Sequence, residues 1–275
     1  MTEPQQDWRV TTAGDFPLRE RLYMKPVIRN AKDGTVLALV PAGEFLRGGP
    51  TRGRGGLTFK VVLPAYYMAL HPVTNAQYAR FLTEADAAAG EIDKWILLDK
   101  GSFVRKGRRG YKADSLKRDH PVVRVSWFGA KAYCRWAGLR LPTESEWEKA
   151  ARGTDGRKYP WGNDWRTGRG CRNAKNRGDE TTCGVWGYPS GASPWGMYQM
   201  SGNVVEWCED WYESGAYARY SRGDLKAPAS GAFRVVRGGS WLNDDLDFFR
   251  CAYRGPLDPG RRNVNCGFRC ARTLL

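Results

Sequence analysis

The sequence predicts one α+β domain with few strands and much ordered loop. Three observations lead there. Thirty-three glycines, fifteen prolines and twelve tryptophans describe a chain that turns often and holds its turns with large aromatics. That is the composition of neither a helical bundle nor a disordered chain. Three segments carry clear helix signals, whereas strand-like runs are short and few. The 275 residues suffice to bury one substantial core, and no linker or fixed-period repeat divides them.

Taken in order, residues 1–35 are polar and proline-punctuated, and are expected to form an arm lying over a domain that spans 36–275. Thr35-Val-Leu-Ala-Leu-Val begins as a buried strand, which Pro41 ends and Gly43 turns. Val61 to Leu70 is expected to be a second strand. Thr74 with Gln77 forms a capping box for a helix whose apolar face holds Tyr78, Phe81 and Leu82. Ser126 caps a helix from Trp127 to Ala137, and Gly138 ends it in the left-handed conformation. Thr143-Glu-Ser-Glu146 is a second capping box, opening a helix that Gly153 stops. Beyond Tyr159 aromatics alternate with glycine turns, and Phe233-Arg-Val-Val-Arg is a short strand feeding Gly238.

The net charge is +15. Basic residues crowd into 47–60 and into 100–118, where Lys100, Arg105, Lys106, Arg108, Arg109, Lys112, Lys117 and Arg118 face only Asp114. Such loops either stay solvated or meet a nucleic acid or acidic partner, with Phe103 and Tyr111 available to stack on bases. No apolar run approaches a membrane span, and the first residues lack the basic-then-apolar pattern of a secretory leader. A cytoplasmic location is expected. Seven cysteines leave at least one thiol unpaired, and no C-x-x-C pair points to zinc. Cys171 and Cys183 bracket a loop short enough for a disulfide, though reduced thiols are the cytosolic default. Cys134 and Cys208 sit among apolar residues and are expected to be buried.

The C-terminal segment 237–270 organises the rest. Gly238-Gly239 permits backbone angles closed to other residues, and Gly267 precedes an aromatic expected to be buried. The runs 242–249 and 255–265 hold neither a helical nor a strand period, so both are expected to be surface loops. Their mixture of Phe, Leu, Asn, Asp and Arg is that of a contact surface.

Val40-Pro-Ala-Gly-Glu-Phe, His71-Pro-Val-Thr-Asn, Arg140-Leu-Pro-Thr-Glu-Ser-Glu-Trp-Glu, Tyr159-Pro-Trp-Gly, Gly202-Asn-Val-Val-Glu-Trp, Arg237-Gly-Gly-Ser-Trp and Gly267-Phe-Arg-Cys run in one order along the chain. In that order they resemble the formylglycine-generating enzyme (sulfatase-modifying factor) family, a variant of the C-type lectin fold. The resemblance implies a pair of copper-binding cysteines soon after Gly-Gly-Ser-aromatic. Here the first place holds Asn243 and the second falls in Leu246-Asp-Phe. Without two thiolates to grip one soft ion, copper and the oxidation it supports are not expected. The resemblance also implies calcium sites at Asn173, with Asp179 or Glu180, and at Gln199, Gly202, Val204 and Glu206. Weak calcium binding at most is expected, because Gln199 stands where Asp or Asn is usual.

The same C-terminal placement resembles the variable proteins of diversity-generating retroelements, whose mutated asparagine codons cannot yield Lys, Glu, Gln, Met or Trp. From Leu242 to Cys270 none of those five occurs. The resemblance implies a non-catalytic binding protein for a protein or other macromolecular ligand. Trp241 and the glycine turn would be its frame. Leu242, Asn243, Asp244, Asp245, Asp247, Phe248, Phe249, Tyr253, Leu257, Arg261 and Val264 would make its contacts, with Phe248 and Phe249 as exposed aromatic anchors. The alternatives are an enzyme of the same family with altered chemistry and a nucleic-acid binder acting through the basic loops.

Overall fold

The computed structural model describes residues 9–10, 27–49, 56–171 and 181–274. Strands β1 (Arg9–Val10), β2 (Val27–Arg29), β3 (Val36–Val40), β6 (Tyr66–Ala69) and β13 (Ala271–Thr273) form an antiparallel sheet in the order β1-β2-β3-β6-β13. Ala271 pairs with Met68, so the end of the chain is tied to its first third. Within the stretch expected to be an arm, Arg9–Val10 and Val27–Arg29 pair into this sheet, and residues 30–35 turn into β3. The remainder of that stretch lies outside the described residues.

Between β3 and β6, strands β4 (Gly43–Gly48) and β5 (Thr58–Leu63) make a separate hairpin. The expected single strand from Val61 to Leu70 is thus two strands in different sheets. Pro64, which has no N–H to donate, falls in the gap between them. Helix α1 (Asn75–Glu84) carries the complete capping box of Thr74 and Gln77, and a short helix α2 (Ala89–Trp95) follows. The basic stretch 100–118, expected to be a loop, holds a hairpin of β7 (Val104–Gly107) and β8 (Gly110–Ala113). Its alternation is masked in the sequence because both the outward face and the tip are cationic.

Helix α3 (Trp127–Trp136) starts at Ser126, and Gly138 follows it with φ +68°. Helix α4 (Glu144–Arg152) starts at the Thr143–Glu146 box and stops at Gly153, φ +72°. A second sheet comprises β9 (Val205–Trp211), β10 (Arg234–Arg237), β11 (Arg254–Leu257) and β12 (Cys266–Gly267), in the order β11-β10-β9-β12. Helix α5 (Ala216–Tyr220) lies in the connection from β9 to β10. Two of these strands correct the sequence reading. The seven residues of β9 alternate only weakly, and β11 occupies the start of a segment expected to be loop.

One apolar core gathers Tyr78, Phe81, Tyr133 and Phe268 between α1, α3 and the C-terminal segment. A second places Trp147 of α4 against Val36, Met68, Met200 and Val235. Cys134 and Cys208 are buried as expected. Cys171 and Cys183, whose spacing left a disulfide open, form one, with Cα atoms 6.3 Å apart. Among the described residues no helix is long and apolar enough to cross a membrane.

Candidate ligand-binding groove

The groove is positioned by charges buried beneath it. Glu144 and Glu148 lie one turn apart on α4, and both side chains are inaccessible to solvent. Arg254 of β11 grips Glu144 with two bonds, at 2.6 and 2.9 Å, and Arg47 of β4 approaches it at 2.9 Å. Glu148 accepts from Arg237 at 2.5 Å, from Arg152 at 2.7 Å and from the Gly48 amide at 2.7 Å. Burial alone would raise the Glu144 carboxyl, but Arg254, Arg47 and Arg237 hold it down at about 2. Neighbouring Asp210 goes the other way. Burial, reinforced by the charge of Glu144, pushes it up to about 6.

Arg237 connects this node to the C-terminal loop. Its guanidinium donates to the carbonyls of Cys251, Ala252 and Tyr253 at 2.8, 3.0 and 2.5 Å. The glycines after it are needed for close approach. Gly239 sits at φ +66°, and a Cβ there would come within 2.8 Å of the Phe248 carbonyl. Ser240 is buried; its hydroxyl donates to the Asn243 side-chain oxygen and accepts from the Asn265 amide, at 2.9 Å each. The motif Arg237-Gly-Gly-Ser-Trp is thus a clamp that fixes the path of residues 239–253.

Of the predicted contact residues, the fold brings Asp245, Asp247, Phe248 and Tyr253 together along one groove of about 490 Å³. Phe248 and Tyr253 meet with ring centroids 4.8 Å apart. Asp245 caps the Asp247 amide, and Asp247 pairs with Arg250 at 2.6 Å. Tyr212 and Tyr217, from the β9–α5 connection and α5, also line the groove together with Leu57. Sequence reasoning missed these three, because they reach the loop only through tertiary structure: the pairing of β9, β10 and β11 for the tyrosines, and the β4–β5 hairpin for Leu57. The ring of Tyr217 stands 5.1 Å from the Arg254 guanidinium and its hydroxyl donates to Glu148, so the wall is anchored in the buried node.

The other predicted residues lie elsewhere. Phe249 is a correction. It is fully buried against Trp165 and cannot be an exposed anchor. The short 3-10 turn at Leu246–Phe249 sends the two neighbouring rings in different directions. Trp241 is largely buried beside the Cys171–Cys183 disulfide with Val264 packed on it, a framing position. Asn243 holds the turn at Ser240. Leu242 and Asp244 are exposed outside the groove, Leu257 packs partly on the helical core, and exposed Arg261 lines a separate hollow with Arg124 and Leu97.

Among the described residues, neither implied metal finds a full set of donors in place. At the copper positions stand Asn243, whose oxygen is taken by Ser240, and the stretch Leu246 to Phe248. Every free cysteine among the described residues is buried, and burial pushes the Cys251 thiol up to about 12. The residues do not fit a copper ion. For calcium, Asn173 lies outside the described residues, as do Asp179 and Glu180. Gln199 keeps a buried Oε1 without a hydrogen-bond partner, which would suit a cation. Gly202 and Val204 follow in the same turn, but both oxygens of Glu206 are held by Arg269, at 2.6 and 2.7 Å, and by Trp147 at 2.8 Å. A cation could take Glu206 only by displacing a guanidinium, so this donor set does not fit calcium as arranged.

The architecture is that of a C-type lectin fold of the formylglycine-generating type, with a clamped C-terminal loop forming one wall of a groove. The family described as the sulfatase-modifying factor enzyme 1-like domain matches residues 23–274, and the chain belongs to it. The formylglycine-generating enzyme of Streptomyces coelicolor is 36% identical over 279 residues, covering 84% of this chain and 87% of that one. The serine/threonine-protein kinase pkn1 of Chlamydia pneumoniae is 39% identical over 251 residues, 87% of this chain but 38% of the kinase. The chain thus spans about two fifths of the length of the curated kinases it matches. The solved structure of Treponema denticola variable protein 1 superposes with a TM-score of 0.66 at 21% identity, covering 90% of this chain and 99% of that one. At that identity the likeness is one of fold.

Proposed function

We propose that this chain is a non-catalytic binding protein that presents the C-terminal loop to a protein or other macromolecular ligand. The observation that carries the reading is the groove itself. Asp245, Asp247, Phe248 and Tyr253, all from the loop without Lys, Glu, Gln, Met or Trp, line it opposite Tyr212 and Tyr217. Aromatic side chains with few rotatable bonds, interspersed with short acids, are the composition of a recognition surface. Among the described residues that line the groove there is no cysteine or histidine, the side chains that thiol or imidazole chemistry would need. The likeness of fold to a variable protein is consistent with display of a changeable loop on a fixed frame.

Panning a randomised peptide library against the protein tests this. Enrichment of a consensus that disappears in Tyr253→Ala and Phe248→Ala is expected, and absence of any consensus would overturn the reading. A second reading, an oxidising enzyme, is favoured by the identity to the Streptomyces enzyme. Stoichiometric copper retention with oxygen consumption on a thiol peptide would establish it and remove the first.

A further inference from the structure

We infer that the β7–β8 hairpin docks on the phosphate backbone of double-stranded nucleic acid, independently of the groove. In the antiparallel register Arg105 stands directly opposite Lys112, and Gly107 opposite Gly110, with Arg108 and Arg109 forming the tip. Arg105, Lys106, Arg108, Arg109 and Lys112 are all exposed. No acidic residue occurs between 104 and 113, and no ion pair engages these five cations among the described residues. Like charges directly opposite each other on a strand pair repel, and an anion from outside relieves that repulsion.

The ribbon is fixed rather than free to fold its charges away. The Tyr111 amide donates to Thr83 of α1 at 2.8 Å, and Val104 is buried in the helical core. Gly110, at φ +91°, lies so near α1 that a Cβ would meet Thr83 at 2.4 Å. One face is therefore committed to the core, while the outward face and tip are cationic.

Three features choose among polyanions. A two-stranded ribbon is admitted by the major groove of a duplex. Stacking on unpaired bases, which single-strand binders use, has no fully exposed ring here. Tyr111 packs partly on the helical core and Phe103 lies beside the Lys117 ammonium at 5.9 Å. The hairpin itself exposes no apolar side chain that could enter lipid, and Leu116, exposed three residues beyond it, is a single one. Contact with phosphates alone reads no sequence, so binding is sequence-independent and falls steeply with salt.

The test is fluorescence anisotropy of a labelled mixed-sequence DNA duplex of about 20 base pairs, titrated with the whole chain from about 50 to 300 mM salt. The comparison is a variant carrying Arg105→Ser, Lys106→Ser, Arg108→Ser, Arg109→Ser and Lys112→Ser, with circular dichroism melting to verify its fold. The expected result is binding at low salt, weakened at least tenfold in the variant. The slope of log affinity against log salt should fall by about 0.9 for each phosphate that the variant no longer neutralises. Arg105→Ser alone, which leaves the turn intact, should lower the slope by about 1. No binding by the unaltered chain at about 50 mM salt, or equal binding by the variant, would overturn the proposal. So would tighter binding to anionic phospholipid vesicles than to the duplex.

Discussion

Two acid-rich regions of this molecule invite comparison: the α4 helix and the C-terminal loop. Glu144 and Glu148 are wholly buried and saturated by four arginines, whereas Asp244 and Asp245 of the loop are exposed to solvent. The buried set joins four segments, at residues 47, 144–152, 237 and 254. In the loop, Asp245 caps the Asp247 amide and Asp247 pairs with Arg250 three residues on. Fixing a surface and displaying one thus use the same functional groups under opposite solvation. A charge removed from the first region leaves partners stranded in a dry environment, while one removed at exposed Asp244 or Asp245 leaves a site that water reaches.

The largest effect expected is at the frame. Glu148→Ala strands Arg237 and Arg152 next to the space it vacates and deprives the Gly48 amide of its acceptor. A loss of about 3–5 kcal/mol is expected in urea unfolding, the range for breaking a buried pair from one side. Because Arg237 also holds the carbonyls of residues 251–253, binding in the groove should fall as well. A loss below about 1 kcal/mol would show that the node is wetter than its geometry implies, and would erase the contrast with the loop.

Next in size is a contrast between adjacent residues. Phe249→Ala empties a fully buried site beside Trp165 and should cost about 3–5 kcal/mol, whereas half-buried Phe248 should cost about 1 kcal/mol on the same substitution. Binding should show the reverse order, since Phe248 lines the groove. Thermal or urea denaturation paired with the panned peptide distinguishes the two. Equal stability costs would mean that the loop has no division between anchor and display.

That division is only partly legible in the sequence. Caps and stops are readable because they are local chemistry: Thr74 with Gln77, Ser126, and Thr143 with Glu146 each act within one turn. The order of the short motifs leads to the fold for a different reason. Arg237 and Glu148, and Glu206 with Arg269, are buried ion pairs between distant segments, so each motif carries one half of a tertiary contact. What the sequence hides is also tertiary. Phe248 and Phe249 are chemically identical, and only the 3-10 turn decides which one enters the core. Tyr212 and Tyr217 reach the groove through strand pairing rather than proximity in the chain. The hairpin at 104–113 is hidden because its exposed cations obscure the alternation that marks a strand.

The smallest expected effect is the most discriminating for display. A surface that accepts many side chains must contain positions whose identity the fold ignores. Leu242 is half exposed, at 50%, and belongs to none of the apolar clusters formed by the described residues. Leu242→Ser is therefore expected to change stability by no more than about 0.5 kcal/mol. Its neighbour Asn243 accepts from both the amide and the hydroxyl of Ser240, at 2.8 and 2.9 Å, so Asn243→Ala should cost about 1 kcal/mol. If the two measure alike, whether both near zero or both near 1 kcal/mol, residues 242–243 do not separate a tolerant position from a turn-forming one. If Leu242→Ser alone costs more than about 1 kcal/mol, its exposed side chain supports the fold, and the loop is frame where display requires freedom.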